Sequence, residues 1–497
     1  MKNFSLSHIP CGTSIPPDNP HAISVSLPAF SDVIGYEEKT PLILDKLNSA
    51  YPRFRMNKLN ARAASHIKEI FDIGDKIVLP ISSPDVLEFM KLSGSKEVQL
   101  ISSAGYHTLA FSPEYSGMKD IISFLQHTGM IPSSRKSEDY LFSAGEISNT
   151  FSEKKESPEQ SINIINSILL NAYGTMASPT LHLTTTGMNA VFSVFEALNK
   201  KLHNPGNHFV QLGWLYLDTM EILNKFGKNS VSFFNCTDTE GFISYIRQNH
   251  KKMTAVFTEV PTNPLVQIID LPRVSAELKK YNIPLIIDSS MGTAYNYNLL
   301  EYSDIVIESL TKFASGGADL MMGAIIYNNK SEIALSLQAD VEKYIQHPYH
   351  KDVERLARGI HEYETRVTNS GERTRELAEY LNKSKIVSRV FWSNGEYSKE
   401  NEARVKRNEK SVSAVISIIF DKPLKFYYDR IRLPKGPSFG TEFTLAMPYV
   451  YLAHYDLTKT ESGRATLSSI GLDSEMLRIS VGTEPINDLI RVFEDLI

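Results

Sequence analysis

Cysteine is scarce. Cys11 and Cys236 are the only two in 497 residues, which rules out a disulfide framework and makes a reducing, cytoplasmic setting the expectation. An excess of positive charge is missing too. Lysine and arginine number 52 against 57 aspartates and glutamates, for a net charge of −5, so the basic face of a nucleic-acid binder is not expected. No apolar run reaches the about 18 residues that mark a membrane-spanning helix. The opening MKNFSLSHIPCGTSIPPDNP has no long apolar stretch of the kind a secretory leader carries. There is no internal repeat, and no metal site is expected. What is there is ordinary globular material, 42% hydrophobic and 22% charged, with length for about two to four domains.

The informative stretch runs from Pro284 to Tyr327. An apolar run (Leu285, Ile286, Ile287) ends in Asp288, and a second (Ile305, Val306, Ile307) leads to Ser309-Leu310-Thr311-Lys312. Both runs are short, β-branched and bounded by polar residues, as buried parallel strands are. Asp288 and Lys312 then stand just past the carboxyl ends of their strands, where open α/β sheets build their sites. A lone carboxylate would be read as a helix cap and a lone lysine as a surface residue. Together they suit a pyridine aldehyde that carries a phosphate: the amine condenses with the aldehyde once desolvation lowers its pKa, the carboxylate keeps the ring nitrogen protonated, and the hydroxyls of Ser309 and Thr311 suit phosphate oxygens.

This block resembles the Cys/Met-metabolism family of pyridoxal-phosphate enzymes, which includes cystathionine synthases and lyases. The segment S-D-I-V-I-E-S309-L-T311-K312-F matches the family's second half closely. The resemblance implies pyridoxal 5′-phosphate as cofactor and a fold of the PLP-dependent transferase type (fold type I): α/β, with a parallel-rich central sheet. It assigns further residues. Thr186, Gly187 and Met188 match the family's S-S/T-G-M turn, whose backbone N–H groups at a helix start suit a phosphate. Tyr216 falls by register where a tyrosine stacks on the ring, with Leu217 and Asp218 departing from the compact members' glycines. Asn263, in E-V-P-T-N-P, matches the asparagine that bonds the ring hydroxyl oxygen. Arg478, in L-R-I-S-V-G-T-E, and Ser438 match the positions that hold the substrate carboxylate. Tyr51 and Arg53 match a Y-x-R motif that, in the family, reaches across a subunit interface to the neighbour's cofactor phosphate, a role suited to arginine's fork. The resemblance therefore implies a homo-oligomer, a dimer or a dimer of dimers.

In compact members Y-x-R lies a few dozen residues before the S-S/T-G-M turn; here a long segment intervenes. With S-V-S-L-P, G-Y-E-E and Y-P-R-F ahead of it, this arrangement resembles fungal-type cystathionine γ-synthases over nearly the whole chain. Four parts are expected: an N-terminal arm (1–59), an inserted α/β subdomain and linker (60–170), a cofactor domain (171–345) and a smaller α/β C-terminal domain (346–497). Within them the patterns predict a helix from Glu37 to Asn48. Strands are expected at 77–79 and 98–101, with a Ser83-capped helix between them. Residues 143–162 read as a linker or mobile loop, followed by βα alternation from about 175 with helical crossovers and a parallel sheet. Further on come a strand at 321–327, a helical stretch from Asp352 to Leu381, and a solvated charged loop at 394–411. The function implied is γ-replacement on an O-activated homoserine with cysteine, giving cystathionine, with Lys312, Tyr216 and Asp288 as the catalytic set. The alternatives are a γ- or β-lyase, a specialised enzyme with another nucleophile or substrate, or a binding protein without turnover, against which the intact Lys312, Asp288 and Arg478 speak. The partners expected are small amino acids, with no nucleic acid and no membrane.

Overall fold

The computed structural model describes residues 6–174, 181–227 and 229–497. The first five residues of the arm and the expected onset of βα alternation at 175 lie outside them. At the centre is a seven-stranded sheet: β1 (Leu181–Thr184), β2 (His208–Leu212), β3 (Ser230–Phe233), β4 (Met253–Glu259), β5 (Leu285–Asp288), β6 (Ile305–Ser309) and β7 (Gly323–Tyr327). Their spatial order is β1-β7-β6-β5-β4-β2-β3. β4, β6 and β7 are buried along almost their whole length, which is why they read as continuous apolar runs. Parallel pairing joins β3, β2, β4, β5 and β6. The sheet is parallel-rich, as expected, with one exception. β7 runs antiparallel to both β6 and β1, because residues 310–322 carry the chain past Lys312 in turns rather than through a crossover helix. That strand starts at Gly323, two residues later than the sequence pattern placed it.

The helix Gly187–Lys201 follows β1, and its stripe Met188, Val191, Phe192, Phe195 and Leu198 is buried against the sheet. The C-terminal part packs helices on a four-stranded antiparallel sheet ordered Val387–Phe391, Val415–Phe420, Leu477–Ser480, Leu445–Met447. The helix expected from Asp352 to Leu381 is two helices, His350–Ile360 and Tyr363–Leu381. The break lets Tyr363 turn fully inward, and Arg366 Nη2 donates to the carbonyl of Gly359 (3.2 Å) in the last turn of the first helix. The charged loop 394–411 is not simply solvated. It holds a helix, Lys399–Val405, whose Glu402 is fully buried and accepts from Tyr297 Oη and Asn394 Nδ2, both at 2.7 Å.

The arm departs from its expected helix as well. The chain is helical at Phe30–Glu37 and again at Pro41–Leu44, interrupted by Lys39 at φ +56° and restarted by Pro41. Residues 77–81, 106–111 and 99–103 form a three-stranded antiparallel sheet in that order. The middle strand, Tyr106–Phe111, was not foreseen. The helix expected after Ser83 is a single turn, Val86–Phe89. Residues 143–162 are not a linker throughout: a helix begins at Pro158, and Glu153 is gripped by the Arg135 guanidinium through two bonds of 2.6 Å.

Candidate active site

All the candidate cofactor residues line one cavity at the carboxyl ends of β4, β5 and β6. Ser438 and Arg478 stand behind its wall. Lys312 is buried, and its Nζ donates to Ser438 Oγ (2.9 Å) and Tyr51 Oη (3.4 Å). The ammonium also lies 4.9 Å from the Tyr51 ring centroid and 4.8 Å from that of Phe439. Burial lowers its pKa, which favours the neutral, nucleophilic amine. Two backbone features hold this lysine. Ser438 sits at φ +94°, a conformation costly for any residue but glycine. Gly440, at φ +76°, presses so close that a Cβ there would lie 2.9 Å from Lys312 Cβ and 2.7 Å from the Phe313 nitrogen.

Asp288, at the end of β5, accepts the Ser290 N–H at 2.8 Å, and burial raises its pKa. A protonated ring nitrogen opposite would draw it back down. Behind it Glu308 accepts hydrogen bonds from Tyr173 and Tyr363, and burial pushes its pKa up to about 7. At the far end, the Thr186 hydroxyl is occupied as the helix cap, accepting the Asn189 N–H at 3.0 Å. The first N–H groups of Gly187–Lys201, which have no intrahelical partner, remain for an anion. Thr311 Oγ1 is engaged too, accepting the Met322 N–H at 3.1 Å, while Ser309 lines the cavity floor.

Arg478 is buried and forms no ion pair among the described residues. Its guanidinium donates instead to Asn263 Oδ1 and to the Ser438 carbonyl, both at 2.9 Å, and lies 5.1 Å from the Phe439 ring. Binding Asn263 by its oxygen leaves the amide N–H groups as donors. Tyr216 directs its hydroxyl to Arg53, and its backbone N–H is accepted by Glu259. The phenol within reach of Lys312 is therefore Tyr51, not Tyr216. Burial would raise the Tyr51 pKa, but the charges of Lys312 and Arg53 outweigh it and lower it.

Tyr51 and Arg53 line the cavity. Two placements were not anticipated. Asp218, noted only as a departure from glycine, pairs with Arg53 and with His127. Phe439 lies under both Lys312 and Arg478. Its place between Ser438 and Gly440 was the available signal for the last; nothing in the sequence pointed to His127.

The donor set fits pyridoxal phosphate: a desolvated lysine, a carboxylate on the opposite wall, a helix start with free N–H groups, and in Arg478 a buried cation without a carboxylate of its own among the described residues. A lysine and an aspartate on adjacent strand ends of a seven-stranded sheet define a PLP-dependent enzyme of fold type I. The chain belongs to the Cys/Met metabolism PLP-dependent enzyme family, whose model matches residues 171–496, and its cofactor is pyridoxal phosphate. Among relatives, the L-2-amino-4-chloropent-4-enoate dechlorinase/desaturase of Streptantibioticus cattleyicolor is 32% identical over 96% of this chain and 96% of its own, a span that takes in the inserted segment. The cystathionine gamma-synthase of Neurospora crassa is 32% identical over 63% of this chain and 51% of its own, short of the near-complete span expected. A cystathionine gamma-synthase-like enzyme of Amanita muscaria is 25% identical over 98% and 96%. In structure, the chain is similar to cystathionine gamma synthase from Xanthomonas oryzae pv. oryzae, with a TM-score of 0.57 at 22% identity over 66% of this chain and 83% of that one. No described helix is long and apolar enough to cross a membrane.

Proposed function

We propose that this enzyme breaks the bond to a leaving group on Cγ of an α-amino acid. One observation carries the reading: the desolvated amine of Lys312 and the buried guanidinium of Arg478, which has no carboxylate partner among the described residues, meet at Ser438 beside the cavity. A buried cation without a counter-ion calls for an anionic ligand. Arg478 is suited to the substrate α-carboxylate, which it can grip with its fork. Asp288 would face the ring nitrogen, Tyr216 the ring face, Asn263 the ring hydroxyl, and the start of Gly187–Lys201 with Ser309 and Arg53 the phosphate. The bound cofactor supplies an electron sink for charge developing at Cα and Cβ.

The chain's own groups do the rest. Lys312 Nζ, once free, takes the proton from Cα and, staying over the same face, moves a proton at Cβ, which expels the group on Cγ. Ser438 Oγ holds that amine in place between transfers. Tyr51 Oη, with its pKa lowered, is the hydroxyl placed to exchange a proton with Lys312. A buried wall around Phe439 keeps water from the reacting carbons.

Two fates then divide the family. Addition of a thiol at Cγ gives γ-replacement, as in cystathionine synthesis from an O-activated homoserine and cysteine. Without a nucleophile the product is an elimination product. The end-to-end likeness to the dechlorinase/desaturase, inserted segment included, favours elimination from a γ-substituted substrate; the likeness to fungal cystathionine gamma-synthase, confined to part of the chain, favours replacement. Mass spectrometry of products from O-acetylhomoserine, O-succinylhomoserine and a γ-chloro amino acid, each with and without cysteine, tests this. Release of the γ-substituent from at least one is expected. Cystathionine only when cysteine is added selects replacement; an unsaturated or 2-oxo acid regardless of cysteine selects elimination. Intact substrate in every vessel, with the cofactor bound, refutes chemistry at Cγ.

A further inference from the structure

We propose that Tyr449 is a further substrate-binding residue, whose hydroxyl donates to the α-carboxylate that Arg478 grips, so that the two together select a free amino acid. This rests on the cofactor and Arg478 assignments above and not on the fate of the group on Cγ. The path of the chain puts the phenol there. Strand Leu445–Met447 pairs antiparallel with Leu477–Ser480 and sets Met447 opposite Arg478. Pro448 follows, with no N–H to extend the ladder, and the helical turn Tyr449–Ala453 begins at once. Tyr449 thus leaves the sheet beside Arg478, and its ring centroid lies 4.9 Å from the guanidinium carbon. The Phe439 ring lies 5.1 Å from the same carbon, so the cation is bordered by two aromatic rings.

The hydroxyl itself is unclaimed. Tyr449 is 2% exposed, and its Oη has no hydrogen-bond partner among the described residues. The charges that act on it are those of Arg478, Glu259 and Asp218. Both carboxylates are engaged elsewhere: Glu259 accepts the Tyr216 N–H, and Asp218 pairs with Arg53 and with His127. His454 packs against Tyr449 with ring centroids 6.2 Å apart, but its Nε2 is unpartnered too, so the two groups do not bond each other. Burial raises the pKa of the phenol against the pull of the guanidinium. The group therefore keeps its proton at neutral pH and offers a neutral O–H donor.

Two neighbouring groups, a cation and an O–H, are thus both buried and both lack an anionic or accepting partner. A buried polar group left unpaired weakens the fold, and a ligand that pairs it recovers the loss. Arg478 spends one N–H of Nη1 on Asn263 Oδ1 and one of Nη2 on the Ser438 carbonyl, which leaves the rest of its five donors. A carboxylate has two oxygens and about four lone-pair sites, more than one guanidinium edge fills. The phenol supplies a further donor without adding a second positive charge. An amine without a carboxylate gives it nothing to bond, so the hydroxyl discriminates between the two.

Titration of the holoprotein, followed by the absorbance of its cofactor, tests the proposal with two probes that differ only in the carboxylate: L-2-aminobutyrate and propylamine. Tyr449→Phe keeps the ring and removes the hydroxyl. It is expected to raise the Kd for L-2-aminobutyrate about tenfold, the loss of one hydrogen bond to a charged group, and to leave that for propylamine within about twofold. In turnover, KM for the amino acid should rise while kcat changes by less than about threefold. Urea unfolding of the apoprotein gives a second readout: the variant should be as stable as the wild type or more so, because an unpaired buried group is gone. Unchanged affinity for L-2-aminobutyrate, or equal weakening of both probes, contradicts the proposal. A markedly less stable variant apoprotein also contradicts it, since the hydroxyl would then be bonded in the empty site. Wild-type protein that binds no cofactor, or that binds the two probes equally, would instead remove the assignments on which the proposal rests.

Discussion

Glu308 lies one layer behind Asp288, enclosed by Tyr173, Tyr363 and Ser289, with its pKa pushed up from 4.5 to about 7 by burial. The carboxyl thus keeps its proton in the fold at pH values where the unfolded chain has already lost it. The stabilisation is fully present below pH 4.5 and is lost as pH rises through about 7. Each pH unit in that window removes about 1.4 kcal/mol, so ionised Glu308 burdens the fold at pH 8 by about 3 kcal/mol. Glu308→Gln keeps an amide oxygen for a tyrosine hydroxyl and cannot ionise. Urea unfolding of the apoprotein at pH 5, 6, 7 and 8 measures the difference between the two proteins, in which titration of every other group cancels. The variant is expected to be equal or slightly weaker at pH 5 and more stable by about 2–3 kcal/mol at pH 8. A constant difference across the series, or a variant less stable at pH 8, would refute the assignment of a protonated buried carboxyl.

Other substitutions probe the site itself. Gly440→Ala has to adopt φ +76° and press a Cβ onto the Lys312 backbone; a stability loss of about 1–3 kcal/mol and a fall in kcat of about a hundredfold are expected in melting and steady-state assays. Asp288→Asn removes the charge that would keep the ring nitrogen protonated, and turnover should fall by about a hundredfold or more while the protein stays folded. Arg478→Lys replaces a fork with a point charge; KM for the amino acid should rise about tenfold to a hundredfold with a smaller change in kcat, measured under saturating cofactor.

The central strands were legible because each is an apolar, β-branched run that ends at a polar residue just where the sheet stops, as Leu285–Asp288 and Ile305–Ser309 do. The chemistry was legible for the same reason: Asp288 and Lys312 are polar groups at the ends of buried strands, and their neighbours followed a family pattern. What escaped was set by contacts distant in sequence. Glu402 reads as one charge among many in a polar stretch, and only Tyr297 and Asn394 show why it is buried. The antiparallel return of Gly323–Tyr327 depends on how the Lys312 turn packs, which periodicity does not encode. Tyr51 and Arg53 were legible through the Y-x-R motif, and both line the cavity. His127 had no local signature, since its role exists only once Asp218 and Arg53 lie beside it.

The central claim is that Lys312 is the residue that holds the cofactor. Holoprotein reduced with borohydride, digested and sequenced by mass spectrometry tests it most directly. A phosphopyridoxyl group is expected on the peptide containing Lys312 and on no other lysine, with loss of the label in Lys312→Ala. Labelling centred on a different lysine, or a reduced protein without label although its visible band was present beforehand, would contradict the account.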